Sequence, residues 1–361
     1  MDWLDPADPR PGLQRLLRDW LRVQIAFGLH PETFAARLRS LGSARKLLDS
    51  AKTSSPVSTD QVERHVEILR RDCVRMLPLL SNCYPERVSH LRDPALVLFL
   101  RGRGSIELLE RPIVAIVGAR AATVYGRKVA RDLARELAAL GIVVISGLAR
   151  GVDGMAHEGA LDAGGVTLAV QACGPERIYP PEHRELASRI REAGLVLTEM
   201  PPGTPPRAPY FPLRNRLISG LASAVVVVEA RLRSGSLVTA RHALLQGREV
   251  LAVPGPIRAP TSEGTNQLLR DGARPCLDAS DVLDALGWSS VVPSSQLAMG
   301  PALPDDAGSQ AIVEALREAP ASRDELAQRL SLGPGEIASG LLELELAGWV
   351  AEDRDGRFRI P

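Results

Sequence analysis

The spacing of hydrophobic residues along the chain changes in character after the first fifth of its length. Residues 10 to about 72 place apolar side chains at helical intervals, as in Leu13, Leu17 and Trp20. From about residue 82, helical segments alternate with short runs rich in β-branched residues. These runs lie at 113–117, 142–145, 167–171, 194–198, 225–228 and 249–253. Alternation of this kind predicts right-handed crossovers and a doubly wound, mostly parallel α/β sheet.

The last part of the chain follows a third pattern. Residues 288–307 are rich in Ser, Pro and Ala without periodicity, which is typical of a linker. Beyond them, Ser322 and Glu325 have the spacing of a capping box, and the pattern around them predicts three helices and a hairpin, a winged-helix arrangement. We therefore predict a helical domain over 1–81, a doubly wound domain over 82–287, the linker, and a winged-helix domain over 308–361.

Composition narrows the class of protein. With 361 residues, 45% hydrophobic and 24% charged, the chain fits a soluble protein of two or three domains. Apolar stretches fall short of the roughly 20 residues of a membrane helix, and the amino terminus does not resemble a signal peptide, so we expect a cytoplasmic protein. The four cysteines form no CxxC pair and the six histidines are dispersed, so we expect neither disulfides nor a metal centre.

The net charge of +1 conceals an uneven distribution. Residues 206–250 contain seven arginines against two glutamates, whereas residues 305–361 contain six arginines against twelve acids. A basic stretch favours an anionic partner, and an acidic one does not. We therefore expect the middle of the chain to bind an anion and the carboxyl-terminal domain not to.

Three predicted strands are followed by loops of the kind that hold phosphates. Gly118 and Arg120 follow the first core strand, and residues 146–151 repeat the arrangement with Ser146, Gly147 and Arg150. Residues 234–236, Ser-Gly-Ser, follow the four-valine strand. Glycine lets the backbone approach a ligand, and a helix start offers free amides. The same residues also suit plain turns and an ordinary helix cap, and both interpretations stay open.

Asp153 and His157 lie four residues apart on the helix that follows the second loop. This spacing is compatible with acid-base chemistry. Because the sequence offers no nucleophile or metal to accompany them, a local role is favoured, in which Asp153 caps the helix and His157 packs or hydrogen-bonds nearby.

A second group of candidates lies at residues 211–216, where Phe211 precedes two closely spaced arginines. An aromatic ring can stack a nucleic-acid base, and only four percent of this chain is aromatic. The alternative is that Phe211 fills the core beneath the loop. The sequence lacks a GxGxxG after a strand and a GxxxxGK[ST] motif, so a dinucleotide cofactor and P-loop ATP hydrolysis are not indicated. The absence of both motifs favours nucleic acid as the anionic partner.

In combination these segments resemble the DNA-processing protein A family (DprA, also called Smf). The resemblance covers about residues 82–285. It rests on VGARAATVYG at 117–126, SGLARGVDGMAH at 146–157, TLAV at 167–170, YPPEH at 179–183, TEMPPG at 198–203, FPLRNRLISGL at 211–221, VVVVEARLRSGSLVTA at 225–240, VPGPI at 253–257 and GTNQLLRDGA at 264–273.

The resemblance implies a Rossmann-like domain that binds single-stranded DNA without catalysis, forms a homodimer, and loads the RecA recombinase during natural transformation. It implies no cofactor. The amino-terminal helices resemble the sterile-alpha-motif-like domain of some members, and the carboxyl-terminal domain resembles their winged helix. Carried over by motif, the binding residues would be Arg120, Ser146, Gly147, Arg150, Gly151, Phe211, Arg214, Asn215, Arg216, Ser234, Gly235 and Ser236.

An enzyme is the alternative from another class. Related Rossmann-like proteins hydrolyse nucleoside monophosphates with a PGGxGTxxE loop. The corresponding loops here, 234–239 and 254–256, contain no glutamate that could act as the base. Such an activity would have to depend on Glu229 or Glu199 instead.

Overall fold

The computed structural model describes residues 3–29, 31–50, 57–288, 306–330, 332–346, 349–353 and 356–359. The chain divides into two compact units, residues 1–292 and residues 293–361, each with its own hydrophobic core. Most of the predicted linker lies outside the described residues.

The first unit begins with the predicted helical segment. Its helices are α1 (Pro11–Phe27), α2 (Pro31–Leu41), α3 (Ala44–Ser50) and α4 (Thr59–Arg71). Proline at the first position starts α1, and the Ser58 side chain caps α4 by accepting from the Gln61 amide. Leu17 and Leu21 are buried on the inner face of α1, as their spacing predicts.

A nine-stranded sheet forms the centre of this unit. Its strands are β1 (Arg75–Pro78), β2 (Val97–Arg101), β3 (Ile113–Val117), β4 (Val143–Ser146), β5 (Thr167–Val170), β6 (Leu195–Thr198), β7 (Ala224–Val227), β8 (Glu249–Ala252) and β9 (Arg274–Pro275). They lie in the order β1-β2-β6-β5-β4-β3-β7-β8-β9. The strands from β6 to β9 in this order are parallel. Strand β2 pairs antiparallel with β6 on one side and with β1 on the other.

Helices cover both faces of the sheet. They are α5 (Glu86–Ser89), α6 (Val124–Ala139), α7 (Val152–Asp162), α8 (Arg184–Ala193), α9 (Tyr210–Leu221), α10 (Gly235–Leu245), α11 (Glu263–Arg270) and α12 (Ala279–Leu286). Alternate residues of β3 enter different cores: Ile113 and Ala115 pack on one face, Val114 and Ile116 on the other. All five residues of β3 are buried, as expected for a strand covered on both sides. Among the described residues no helix is long and apolar enough to cross a membrane.

The doubly wound, mostly parallel sheet is confirmed, and all six predicted strands are present with ends shifted by a residue or two. Three strands were missed. The β-branched content of β1 and β2 is low, and β9 is only two residues long. The sheet therefore begins at Arg75, before the boundary predicted after residue 81. Paired hydrogen bonds between Leu4 and Met76, of 2.8 and 3.0 Å, and one continuous core join the amino-terminal helices to the sheet.

The second unit contains α13 (Ala307–Glu318), α14 (Arg323–Leu330), α15 (Pro334–Leu346), β10 (Ala351–Glu352) and β11 (Phe358–Arg359). These are the three helices and hairpin that the sequence predicts, although part of the hairpin turn lies outside the described residues. The capping box is present: the Ser322 amide donates to Glu325 Oε2 at 2.8 Å, and the Glu325 amide donates to Ser322 Oγ at 3.3 Å.

Candidate functional site

A crevice opens at the carboxyl ends of β3 and β7. The chain passes from β3 towards β4 on one side, while β7 pairs with β3 on the other, which makes this the point where the strand order reverses. A cavity of about 700 Å³ lies there. Its lining comes from the loops after β3, β4, β5, β6, β7 and β8 and from the first turns of α7, α9 and α10. It includes Gly118, Arg120, Asp153, Tyr179, Phe211, Arg214, Asn215, Arg231, Arg233, Ser234, Gly235, Ser236 and Thr261.

Two glycines bring the loops of this crevice together. Gly151 has φ +75°, and a side chain there would lie 2.2 Å from the Ala119 carbonyl oxygen. A side chain at Gly118 would come within 2.6 Å of Val152. Gly151, one of the predicted site residues, therefore acts on the site by allowing the loop after β4 to pack against the loop after β3.

The predicted phosphate seat at the start of α6 is occupied by the chain itself. The Glu229 carboxylate, from the loop after β7, accepts from the Thr123 amide at 2.9 Å and from the Thr123 hydroxyl at 2.6 Å. Thr123 in turn caps the helix by accepting from the Gly126 amide at 3.0 Å. A side chain at Gly126 would lie 2.3 Å from the Glu229 carboxyl carbon. A carboxylate thus takes the place and the hydrogen bonds that a phosphate would use at this helix start.

The backbone amides of the loop after β4 are also bonded to a carboxylate of the chain itself. Asp153 Oδ2 accepts from the amides of Gly147 at 3.1 Å and Ala149 at 3.3 Å. Burial raises the pKa of Asp153, while the positive charge of Arg214 opposes the rise. Ser146 is fully buried, and its hydroxyl donates to the Ile116 carbonyl at 2.6 Å. The structure therefore does not place Ser146 or the Gly147 amide at the cavity, because both are bonded within the protein.

Arg150, from the same loop, is exposed but is paired with Glu182 and does not line the cavity. The Arg150 guanidinium thus forms an ion pair with a neighbouring carboxylate at the surface. The structure does not bring this predicted site residue to the crevice.

His157 has the local role that the sequence favours. The Thr167 hydroxyl donates to the Val144 carbonyl at 2.8 Å, so it accepts from His157 Nδ1, which lies 2.7 Å away. Burial, with smaller contributions from His183 and Arg214, lowers the pKa of His157 to about 3. A neutral, fully buried imidazole that is bonded to a strand residue supports the packing interpretation over acid-base chemistry.

The two arginines of the 211–216 segment diverge because the segment is helical. Successive residues of a helix are rotated by about 100°, so residues two apart face nearly opposite directions. Arg214 lies under the cavity, where its Nη1 donates to the Gly147 carbonyl at 2.7 Å and also to the Val170 carbonyl. Burial lowers the pKa of Arg214 to about 10, and its buried Nε has no partner. Arg214 therefore connects two strand exits at the floor of the site.

Arg216 faces away from the cavity, contrary to the sequence expectation that both arginines line one site. Its side chain is 1% exposed and contacts Glu199 at 2.6 Å and Asp93 at 2.9 Å. Burial lowers the pKa of Arg216, but the two carboxylates outweigh this effect and raise it overall. Arg216 is a buried ion-pair partner that connects the loop after β6 to residue 93.

Phe211 is a half-buried ring at the mouth of the cavity, outside the hydrophobic core. The Arg120 guanidinium carbon lies 4.7 Å from the ring centroid. Tyr179 contacts Phe211 with centroids 5.6 Å apart and planes inclined at 53°. The core-filling alternative for Phe211 is therefore not what the structure shows. Tyr179 was not among the predicted site residues, although it begins the YPPEH segment.

Residues 234–236 combine both roles considered for them. Ser234 caps α10 by accepting from the Ser236 amide at 3.3 Å, and the two hydroxyl oxygens are 2.7 Å apart. Asn215 Nδ2 donates to the Gly235 carbonyl at 3.1 Å. All four residues line the cavity, so this helix start is capped and also faces the crevice.

Two arginines that were not predicted as site residues complete the rim. Arg231 and Arg233 are exposed and line the cavity. In the part of the chain that the structure describes, no carboxylate lies within ion-pair distance of either guanidinium. The local excess of arginine between residues 206 and 250 is the signal that could have identified them. With Arg120 they provide three positive charges around an accessible aromatic ring, an arrangement that can hold phosphates and a stacked planar group.

Comparison with known proteins extends the similarity over most of the chain. The family model described as DNA recombination-mediator protein A matches residues 75–287, beginning at β1, and the DprA winged helix domain model matches residues 296–356. Protein Smf of Escherichia coli is 40% identical over 291 residues, which cover 79% of this chain and 77% of that protein. DNA processing protein DprA of Bacillus subtilis is 40% identical over 271 residues, which cover 75% of this chain and 90% of that protein.

Solved structures agree. The X-ray structure of DNA processing protein A from Streptococcus pneumoniae matches with a TM-score of 0.64 and 30% identity, over 73% of this chain and 95% of that one. A structure of DNA processing protein A from Helicobacter pylori matches with a TM-score of 0.53 and 33% identity, over 59% of this chain and 95% of that one. That structure is described by its single-stranded DNA binding mode. A doubly wound sheet, a winged helix and these matches in sequence and structure together place the chain in the DNA recombination-mediator protein A (DprA/Smf) family.

Proposed function

We propose that this protein binds single-stranded DNA at the crevice between β3 and β7 and acts as a recombination mediator without catalysing a reaction. The observation that carries the proposal is the accessible ring of Phe211 among Arg120, Arg231 and Arg233. The Helicobacter pylori relative, whose structure is described by its single-stranded DNA binding mode, supports the same class of ligand.

The chemistry of the site favours an unpaired strand of any sequence. Arginines contact phosphates, which are the same in every nucleotide, and a base stacks on an aromatic ring whatever its identity. The Asn215 amide, which could read a base edge, is engaged by the Gly235 carbonyl. In a duplex the bases are already stacked and paired, so their faces are not available to Phe211. We therefore expect preference for single strands with little preference among bases.

The direct test is fluorescence anisotropy with matched single- and double-stranded oligonucleotides at two salt concentrations. We expect tighter binding to the single strand and a steep loss of affinity with salt, because phosphate contacts release counterions. Equal affinity for both forms, or the absence of binding at low salt, would contradict the proposal.

Arg120→Ala is expected to weaken binding to all sequences alike. The change removes a phosphate contact and the cation that lies over Phe211, so the slope of log affinity against log salt should fall by about 0.7. Arg15→Ala is the matched control, since Arg15 is exposed on α1 and does not line the cavity. Binding by the Arg120 variant as tight as wild type at about 0.2 M salt would exclude Arg120 from the site.

The downstream role follows from the family resemblance. We propose that a homodimer delivers the bound strand to the RecA recombinase during transformation. A strand-exchange assay in which single-strand-binding protein blocks RecA tests the delivery step, with stimulation by this protein as the expected result. Light scattering after gel filtration measures the number of subunits in the assembly.

The positions of two glutamates argue against nucleotide hydrolysis. Glu229 is bonded to Thr123, and Glu199 is buried against Arg216, so neither carboxylate lines the cavity as a base would. Incubation with AMP should release no adenine. Release of adenine that depends on either residue would favour the enzyme.

We expect the winged-helix domain not to bind duplex DNA. Its third helix, α15, exposes Glu336, Glu343 and Glu345 and contains no Lys or Arg. A recognition helix must present donors or positive charge to phosphates and base edges, and like charges repel. The fragment 293–361, which has its own core, should bind duplex DNA more weakly than about 10 µM at low salt. Tighter binding would show that the domain contacts DNA despite its charge.

A further inference from the structure

The loop after β8 borders the cavity and exposes two residues that the proposed site does not use. Thr261 lines the cavity, and its carbonyl accepts from the Ala230 amide at 2.8 Å, which joins this loop to the loop after β7. Earlier in the same loop, Ile257 is 85% exposed and Arg258 is exposed beside it. Both residues therefore belong to a loop that is continuous with the lining of the proposed site.

Hydrogen bonds hold this loop in a defined conformation. Asn266, in α11, donates to the Gly255 carbonyl at 3.0 Å and accepts from the Gly255 amide at 3.3 Å. The Ala259 amide donates to the Pro256 carbonyl at 3.0 Å, and the Ser262 amide donates to the Ala259 carbonyl at 2.9 Å. Hydrogen bonds therefore fix the loop on both sides of Ile257, and this side chain is exposed in a loop of defined conformation.

The neighbouring loop repeats the same chemistry. Leu232 is 57% exposed between Arg231 and Arg233, in the loop after β7, the strand next to β8. Residues 254–262 contain no acid, and Glu229 in the other loop is committed to Thr123. At one edge of the sheet, two adjacent loops thus each present an exposed apolar side chain next to arginine: Leu232 between two arginines, and Ile257 before one. Interleaved apolar and positive groups suit a single strand, whose bases and phosphates alternate.

We propose that the single strand bound at Phe211 continues across this edge to a second subsite, where Arg258 contacts a phosphate and Ile257 and Leu232 contact the next bases. The inference rests on the proposed function. The loop after β8 is two strand spacings from the loop after β3, about 10 Å. At a rise of about 3.4 Å per nucleotide, a strand covers that distance in about three nucleotides. An oligonucleotide too short to reach Arg258 would occupy the first subsite only.

The test compares two oligothymidines, a dinucleotide, whose single step of about 3.4 Å cannot span the distance, and a strand of about 15 nucleotides, which is near the upper limit of site size in single-strand-binding folds. The variant is Ile257→Ser with Arg258→Gln in the full chain. Its matched control is Leu29→Ser with Arg15→Gln, which changes an exposed leucine between α1 and α2 and an exposed arginine of α1. Both positions of the variant are exposed, so its melting temperature should equal that of wild type.

We expect the variant to lose about tenfold in affinity for the longer oligonucleotide, with a salt slope lower by about 0.7, and to bind the shorter one as wild type does. Wild-type affinity for both lengths would overturn the second subsite and leave the proposed function intact. Equal loss for both lengths would also overturn it, by placing Ile257 and Arg258 in the first subsite. A change in subunit number without loss of binding would assign the edge to a protein interface. Failure of the wild-type protein to bind either oligonucleotide would overturn the proposed function itself.

Discussion

Phe211→Ala is expected to weaken single-stranded DNA binding by about 1–3 kcal/mol, roughly fivefold to 150-fold, because the variant loses the ring on which a base stacks. The salt slope should stay nearly unchanged, since a stacking contact releases no counterions. Phe211 is half-buried and lies outside the core, so the free energy of unfolding should change little. Salt titrations of both proteins, followed by fluorescence anisotropy, give the affinity and the slope.

Phe211→Trp is the matched control, because a larger aromatic ring can still stack a base. It should bind with near wild-type affinity. Thermal melting distinguishes the core-filling alternative: loss of a buried phenylalanine costs about 3–5 kcal/mol of folding free energy. A fall in melting temperature of that size in Phe211→Ala would assign the ring to the core.

Arg216→Ala is expected to act on folding, with DNA affinity per folded molecule unchanged. The side chain is 1% exposed, and its removal leaves the buried Glu199 carboxylate without its partner. Breaking one side of a buried ion pair typically costs about 3–5 kcal/mol. Urea unfolding measures the loss. The double change Arg216→Met with Glu199→Met should recover much of it, because neither charge then remains buried.

The cost of Arg216→Ala should depend on pH. Burial raises the pKa of Glu199 against the opposing charge of Arg216, and without Arg216 that pKa should rise further. A carboxyl with a raised folded-state pKa binds its proton more tightly when folded. The destabilising contribution of Glu199 to the free energy of unfolding is therefore absent below its pKa in the unfolded chain, about 4.3. It grows as the pH rises through the pKa of Glu199 in the folded protein. The difference in unfolding free energy between variant and wild type should shrink on acidification from neutral pH to about 4. A difference that does not change with pH would show that Glu199 is not the group left uncompensated.

The sequence was sufficient to predict the strands and helix caps that depend on residues close together in the chain. Runs such as 113–117 are β-branched and nearly continuous in apolar residues, and a strand covered on both faces has this composition. The capping box at Ser322 was predicted because its two partners are three residues apart. β1 and β2 were missed because their leucines and phenylalanine suit a helix as well as a strand.

The site was predicted less completely because it depends on partners that are distant in sequence. Glu229 is 106 residues from Thr123, and spacing along the chain does not reveal that contact. Arg214 and Arg216 were grouped because they are close in sequence, but the segment is a helix, so one lies under the cavity and the other in a buried ion pair. Arg231 and Arg233 gain their importance from the position of the loop after β7, which only the strand order establishes.

The carboxylate that Glu229 places at the start of α6 bears on which small molecules could compete for the site. In related nucleotide-binding folds, the pyrophosphate of a cofactor lies at this helix start. Here a free nucleotide would have to displace a group that already accepts two hydrogen bonds from Thr123, and it would meet a like charge there. What remains is a rim of separate arginines, which a polymer can contact at several points together but a single nucleotide cannot. We therefore expect the proposed site to discriminate by ligand length and to leave the cell's abundant free nucleotides at a disadvantage.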